Sequence, residues 1–262
     1  MRVLNHGPDD SAQIRDARRI LFRMSGSGKA KQSRSFCADE PANHSGSSAL
    51  AILDGVVYSA ESFRMTDRAK IVPIILAAGS SKNLGKPKAL ARFGDKTAVV
   101  IAVENCLNLG HPIVVLGCDA ERVRPAIPSM AQVVLNERWR EGQLSSLLRA
   151  MDRVPPTAAV LIYPVDHPLL QESTVKQLVR EFGKRSEREE IIMPRHRGRY
   201  GHPIILSAAL RDELSRAMIA REVVYRCKER IRVFEAKTSA IYEDFDTPET
   251  YQQCLVKFTA RG

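Results

Sequence analysis

The sequence predicts an α/β protein in which helices cover a mostly parallel sheet, and three observations carry that expectation. Short apolar runs alternate with helical patterns along most of the chain. One of those runs, Ile71 to Leu76, passes directly into a loop of small residues, Ala77, Ala78, Gly79, Ser80 and Ser81. The chain then ends in a helical stretch introduced by a capping threonine and a proline.

Taken in order, Ile71 to Leu76 has the length and β-branched content of a central strand. Ile113 to Leu116, Gln132 to Leu135, Ala158 to Tyr163, Ile191 to Met193 and Ile231 to Ala236 are the further strand candidates. Between them, Ala98 to Leu109, Gln143 to Met151, Glu172 to Phe182 and Ala208 to Met218 place apolar residues at helical intervals and are predicted to cross over the sheet. Pro248 to Phe258 is the final helix, with Thr247 as N-cap and Pro248 at its first position. In an open sheet of this kind, ligands bind beyond the carboxyl ends of the strands, so the loops after strands hold the candidate functional residues.

The first of these loops reads as a phosphate site. Small side chains let the backbone approach a ligand, its N–H groups can surround anionic oxygens, and Lys86 and Lys88 add positive charge just past Gly85. A strand-to-helix turn carrying surface lysines has the same composition, and the run matches neither the Walker pattern nor the dinucleotide fingerprint. The strand AAVLIYP delivers Asp166, in PVDHPLL, where a carboxylate can hold a divalent cation against phosphates or simply close a turn. RGRYGHPIILS sets Arg199, Gly201 and His202 in a polar turn that also suits a plain hairpin. EDFDTPETY supplies Asp244 and Asp246 before the last helix, and Asp246 is a second metal carboxylate, part of the helix cap, or both.

In this order the segments resemble the MobA-like nucleotidyltransferase family, most closely its molybdenum-cofactor cytidylyltransferase branch. The resemblance runs from about Lys70 to the C-terminus. It is carried by LAAGSSKNLGKPK from Leu76, NERWREGQLSSLL from Asn136, VDHP from Val165, GHPIILS from Gly201 and DFDTPE from Asp244. It implies a Rossmann-like three-layer sandwich of the nucleotide-diphospho-sugar transferase type. The implied reaction is Mg²⁺-assisted transfer of a nucleoside monophosphate from a triphosphate to a phosphorylated acceptor, with release of pyrophosphate. Such chemistry depends on positioning and charge neutralisation more than on covalent help. By the same resemblance, Leu76, Ala77, Ala78, Gly79, Ser81 and Gly85 belong to the nucleotide loop, and Lys88 meets the phosphates. Asp166 binds Mg²⁺ with Asp246 as a weaker second ligand, Gly142 and Ser145 lie along the nucleotide or acceptor pocket, and His202 faces the reacting groups. Ala77-Ala78-Gly79 is similar to the loop of relatives that use CTP. The implied acceptor is a molybdopterin, with a molybdoenzyme or an insertion chaperone as the protein partner. Another acceptor such as a sugar phosphate, and a catalytically impaired binding relative, are the alternatives.

The signature loop departs from the family at Asn83, where an arginine is usual. An amide offers one neutral hydrogen bond in place of a charged fork, which weakens phosphate contact unless Lys82 or Lys86 compensates. Leu84 replaces a common methionine, and His167 occupies a variable position in the metal turn.

Residues 1–69 are rich in Gly, Ser, Asn and Pro and are expected to form a disordered or loosely docked extension to the nucleotidyltransferase domain at 70–262. Ser47 to Tyr58 is apolar enough for one docked helix or strand, and Met65 resembles a natural start. GSGK at Gly26 to Lys29 lacks both the spacing and the preceding strand of a phosphate loop. No secretory signal or membrane-length apolar span is seen, so a cytoplasmic protein is expected. Cys37, Cys106, Cys118, Cys227 and Cys254 show no metal spacing and are expected to be reduced, buried thiols, and Cys37 with His44 makes only half a metal site. An apolar fraction of 44% is ample for one core. The net charge of +10 suits anionic nucleotides, and the dispersal of the lysines and arginines argues against nucleic acid as the partner.

Overall fold

The computed structural model describes residues 50–53, 56–59 and 70–261. The expectations for the remainder of the leader, including GSGK, Cys37 with His44 and the start at Met65, lie outside these residues. The single helix or strand expected over Ser47 to Tyr58 is corrected: two strands, β1 (Leu50–Leu53) and β2 (Val56–Ser59), pair antiparallel, Leu50 opposite Ser59.

The main sheet has eight strands. β3 (Ile71–Ala77) is its centre, buried along almost its whole length, with β6 (Ile113–Leu116) on one side and β8 (Ala159–Pro164) on the other, both parallel to it. β7 (Gln132–Leu135) extends the parallel half beyond β6. Beyond β8 the pairing reverses: β11 (Ile204–Leu206) runs antiparallel to both β8 and β9 (Ile191–His196). β12 (Ile231–Glu235) returns parallel to β9, while β10 (Arg199–Tyr200) folds back on it as a short hairpin. The expected α/β class and mostly parallel sheet are therefore found, with β11 as the antiparallel insertion. Its brevity explains this: a short polar turn leads from β10 into the apolar run Ile204–Leu206, leaving no room for the crossover that a parallel strand requires.

Helices cover both faces. α1 (Ala98–Glu104) packs with one core, around Val99, Ile75, Leu161 and Phe245. α3 (Gln143–Met151), which follows the four-residue α2 (Ala120–Val123), packs with the other, around Ile74, Val115, Leu147 and Ile162. The alternation of adjacent residues Ile74 and Ile75 between the two cores is the period of two that a doubly covered strand imposes. α4 (Glu172–Gly183) and α7 (Pro248–Thr259) occupy their expected positions, and Thr247 caps α7 by accepting from Thr250 N. Two helical expectations are corrected. Ala98 to Leu109 ends as a helix at Glu104 and continues as a 3₁₀ turn over Leu107–Leu109. Ala208 to Met218 breaks into a 3₁₀ turn, α5 (Arg211–Arg216) and a separate α6 (Ala220–Tyr225), which leaves Met218 on the surface. The thiol expectation is corrected too: Cys106 and Cys254 are buried, but Cys118 is exposed and Cys227 is half-buried.

The C-terminal helix is fastened by aromatic packing to the segment that follows the loop after β3. A small hairpin, β4 (Arg92–Phe93) with β5 (Lys96–Thr97), inserts Phe93, which is fully buried against Phe245, Tyr251 and Phe258 at centroid distances of 5.3, 5.4 and 5.6 Å. Replacing Phe93 with alanine should cost about 3–5 kcal/mol of folding stability, read as a lowered urea midpoint at unchanged slope. A loss below about 1 kcal/mol would show that the C-terminal helix holds its place without this cluster.

Candidate active site

Five segments far apart in sequence meet beyond the carboxyl ends of β3, β6 and β8. They line an open cleft of about 540 Å³ that includes Leu76 to Asn83, Pro87, Lys88, Asp119, Trp139, Arg140, Gly142, Gln143, Ser146, Asp166 and Asp246. The loop after β3 is braced from three sides. Cys118 N donates to Ala78 O at 3.1 Å, Val165 N donates to Leu76 O at 3.2 Å, and Lys88 N donates to Ser81 Oγ at 3.0 Å. Gly85 has φ +74° and turns the chain after Leu84 N and Gly85 N have both donated to Ser81 O, a conformation open to glycine at little cost. Gly117 serves by close approach: a β-carbon there would lie 2.5 Å from Ala78 O and 2.7 Å from Trp139 Cβ.

The charged centre of the cleft is Lys88. Its Nζ lies 2.7 Å from Asp166 Oδ2 and also donates to Asp246 Oδ1, joining residues 78 and 158 positions away. Burial would lower the Lys88 pKa, but the two carboxylates more than reverse this and raise it, so the ammonium stays charged. For Asp166, burial opposes the charge, while His167 and then Lys88 outweigh it and hold the carboxyl well below the usual carboxylate range. His167, nearly buried, places Nδ1 3.0 Å from Asp166 Oδ1. Beneath it the fully buried Tyr163 donates its hydroxyl to His167 O at 3.2 Å and accepts from Asn105 Nδ2 at 3.1 Å. Asp246 is placed by the α7 cap: its backbone N–H donates to Thr250 Oγ1, which is the cap role, while its carboxylate stays in the cleft and accepts from Lys88 Nζ. Asp244 is exposed and lies outside the cleft lining.

Among the described residues, no group of three or more acidic, histidine or cysteine side chains forms a metal cage. Two carboxylates facing a phosphate-sized space do suit a hard divalent cation, since Mg²⁺ commonly takes one or two carboxylates and completes its shell with substrate phosphates and water.

Several anticipated residues sit elsewhere. The Ser145 hydroxyl is spent on structure, accepting from Asn136 Nδ2 at 2.9 Å and donating to Gly142 O or Arg138 O, and its neighbour Ser146 lines the cleft instead. Gly85 shapes the loop without lining the cavity. Lys86 is turned away, its ammonium 4.3 Å from the Tyr251 ring centroid, whereas Lys82 and Asn83 line the cleft. Arg199 stacks its guanidinium over Tyr242 at 4.1 Å. His202 lines a second cavity of about 330 Å³, with Met193, Tyr200, Gly201, Arg221 and Tyr225, and this cavity shares Leu76 and Gln143 with the first. Asp119, Trp139, Arg140 and Gln143 enter the cleft without having been singled out from the sequence. Asp119 follows a strand end, which was a usable signal, and the other three lie in the segment NERWREGQLSSLL.

A central parallel strand, a braced small-residue loop at its carboxyl end and a lysine between two carboxylates define a phosphate-handling α/β protein of the nucleotide-binding type. Comparison with known proteins narrows this: the chain belongs to the family of MobA-like NTP transferase domains, whose model matches residues 73–232. It is 29% identical over 201 residues to nicotine blue oxidoreductase from Paenarthrobacter nicotinovorans, covering 72% of this chain and 98% of that protein. It is also similar to the crystal structure of Rv0371c from Mycobacterium tuberculosis H37Rv, with a TM-score of 0.63 and 27% identity over 72% of this chain and 98% of that one. A manganese complex of that protein superimposes with a TM-score of 0.60 at 25% identity, again over 72% and 98%. No helix among the described residues is long and apolar enough to cross a membrane.

His202 gives a measurable pH response. Burial, followed by the neighbouring His167 and opposed by Asp166, pushes its pKa from 6.5 down to about 4, and its Nδ1 is buried without a partner. The unfolded chain therefore takes up this proton first as pH falls, so stability is full above about pH 6.5 and declines toward pH 4. Urea midpoints measured across that window should fall more steeply for the wild type than for His202→Gln, and parallel profiles would show that the ring is accessible to solvent.

Proposed function

We propose that this chain transfers a nucleoside monophosphate, CMP from CTP, to a phosphorylated acceptor and releases pyrophosphate. The observation that carries the reading is the meeting of the 77–83 loop, Lys88, Asp166 and Asp246 in one cleft. In this reading the loop N–H groups and Lys88 bind the triphosphate, while Asp166 and Asp246 hold Mg²⁺. The ion, when bound, neutralises charge on the phosphoryl oxygens. The adjoining cavity receives the acceptor, with His202 and Arg221 as its polar groups and Tyr200 and Tyr225 as flat walls, which suits a molybdopterin-type ring better than a sugar. The two cavities share Leu76 and Gln143 in their linings, so in this reading the acceptor is held beside the nucleotide.

Asp166→Asn keeps the volume of the side chain and removes its charge. Acceptor-dependent pyrophosphate release should fall by about 100-fold or more while the fold is retained, and wild-type turnover in this variant would overturn the assignment. Asn83 stands in the cleft where family members usually place arginine, so Asn83→Arg should tighten CTP binding by roughly tenfold, the worth of one charge-assisted hydrogen bond. Unchanged binding in calorimetry would mean that Lys82 and Lys88 already satisfy the phosphates.

A second reading is favoured by one finding. The relative from Paenarthrobacter nicotinovorans, matched over 98% of its length, is named an oxidoreductase. Bleaching of nicotine blue by this chain with a reduced nicotinamide nucleotide, in the absence of CTP-dependent pyrophosphate release, would place reduction ahead of nucleotidyl transfer.

A further inference from the structure

The position of Lys88 raises a question of occupancy. Its ammonium sits between Asp166 Oδ2 and Asp246 Oδ1, where a divalent ion shared by those two carboxylates would also have to sit. An ammonium and a divalent ion cannot both take that position, since two cations at contact distance repel strongly in a partly buried site. The Lys88 backbone is fixed, with its N–H on Ser81 Oγ and its carbonyl accepting from Ala91 N, so only the flexible side chain is free to exchange. Its Asp166 partner is equally fixed, by His167 at the other carboxylate oxygen. Asp246 differs: its carboxylate is 58% exposed and can part from the lysine by side-chain rotation. Within reach of the same stem lies the open cleft lined by Ala77 to Asn83, the place for a polyanion.

We propose that Lys88 is an exchangeable internal cation: it holds Asp166 and Asp246 together and keeps a divalent ion out until a nucleoside triphosphate draws its ammonium into the cleft and frees both carboxylates for the metal. This rests on the nucleotidyl-transfer reading and adds to it an order of events, with the nucleotide preceding or accompanying the metal. Metal alone then binds weakly, metal and triphosphate strengthen each other by the same factor, and Lys88 is the group through which they are coupled.

Mn²⁺ binding to the full chain, followed by the loss of the free-ion paramagnetic resonance signal and corrected for the Mn²⁺ that the analogue takes up without protein, tests this without turnover. For the wild type, saturation with α,β-methylene-CTP should tighten Mn²⁺ binding by roughly tenfold or more. In Lys88→Gln without nucleotide, Mn²⁺ should bind roughly tenfold or more tighter than to the nucleotide-free wild type, and the analogue should add much less. Equal Mn²⁺ affinity in the two nucleotide-free proteins overturns the exchange. So does a wild type that binds the analogue with no change in its Mn²⁺ affinity, and this result leaves the transfer reading standing. If neither protein binds the analogue, the transfer reading fails and the handover with it. Should Lys88→Gln not fold, Lys88→Met takes its place with the same expected and overturning results.

Discussion

One ammonium group between two carboxylates organises the functional end of this molecule. Asp166 and Asp246 come from separate loops, one after β8 and one before α7, and would repel each other across the cleft if nothing positive lay between them. Lys88 gathers them at the cost of part of its own hydration, and the three groups together keep one negative charge in excess. That surplus gives the cleft an affinity for further cations, while the loop beside it is built to receive anions. A site with both tendencies a few ångströms apart is suited to a metal–triphosphate complex more than to either component separately.

The surrounding structure is arranged so that none of the three groups depends on its own segment alone. The turn bearing Asp166 is supported from beneath by Tyr163 and Asn105, and Asn105 Nδ2 also donates to Leu170 O at 2.9 Å. The loop bearing Lys88 is tied to the ends of β6 and β8 through the carbonyls of Ala78 and Leu76. Asp246 is held by a helix cap at one side and by the Phe93 cluster below, which also secures the hairpin immediately after Lys88. Buried hydrogen bonds and aromatic packing thus fix the backbone, and the freedom that remains is in the side chains of Lys88 and Asp246.

Much of this was legible in the residues. Ile71 to Leu76 was readable as a central strand because a strand buried on both faces has no polar positions, and Thr247-Pro248 marked the start of the last helix because both residue types have few other uses there. The antiparallel pairing of Ile204–Leu206 was not legible, since an apolar run carries no sign of its direction. Nor was the break between α5 and α6: Ala208 to Met218 has helical spacing, yet the backbone turns extended at Ala217 and again at Ile219. Within the site, the loop and Asp166 could be named from their positions after strands and Asp246 from its place before the last helix, whereas the division of labour between Ser145 and Ser146 depends on which hydroxyl meets Arg138 and Gly142. Lys86 and Lys88 are chemically alike in sequence, and their fates separate in the fold, one ammonium over the Tyr251 ring and the other between two carboxylates.

Leu76 and Gln143 stand in the wall common to both cavities, one at the end of the central strand and the other at the first position of α3. A change of shape or polarity at either is felt on both sides of that wall at once. In the proposed reading, preferences for nucleotide and acceptor are therefore not free to diverge independently through these positions. Descendants of this fold can retune one ligand alone only through residues that face a single chamber, such as Trp139 on one side or Tyr225 on the other.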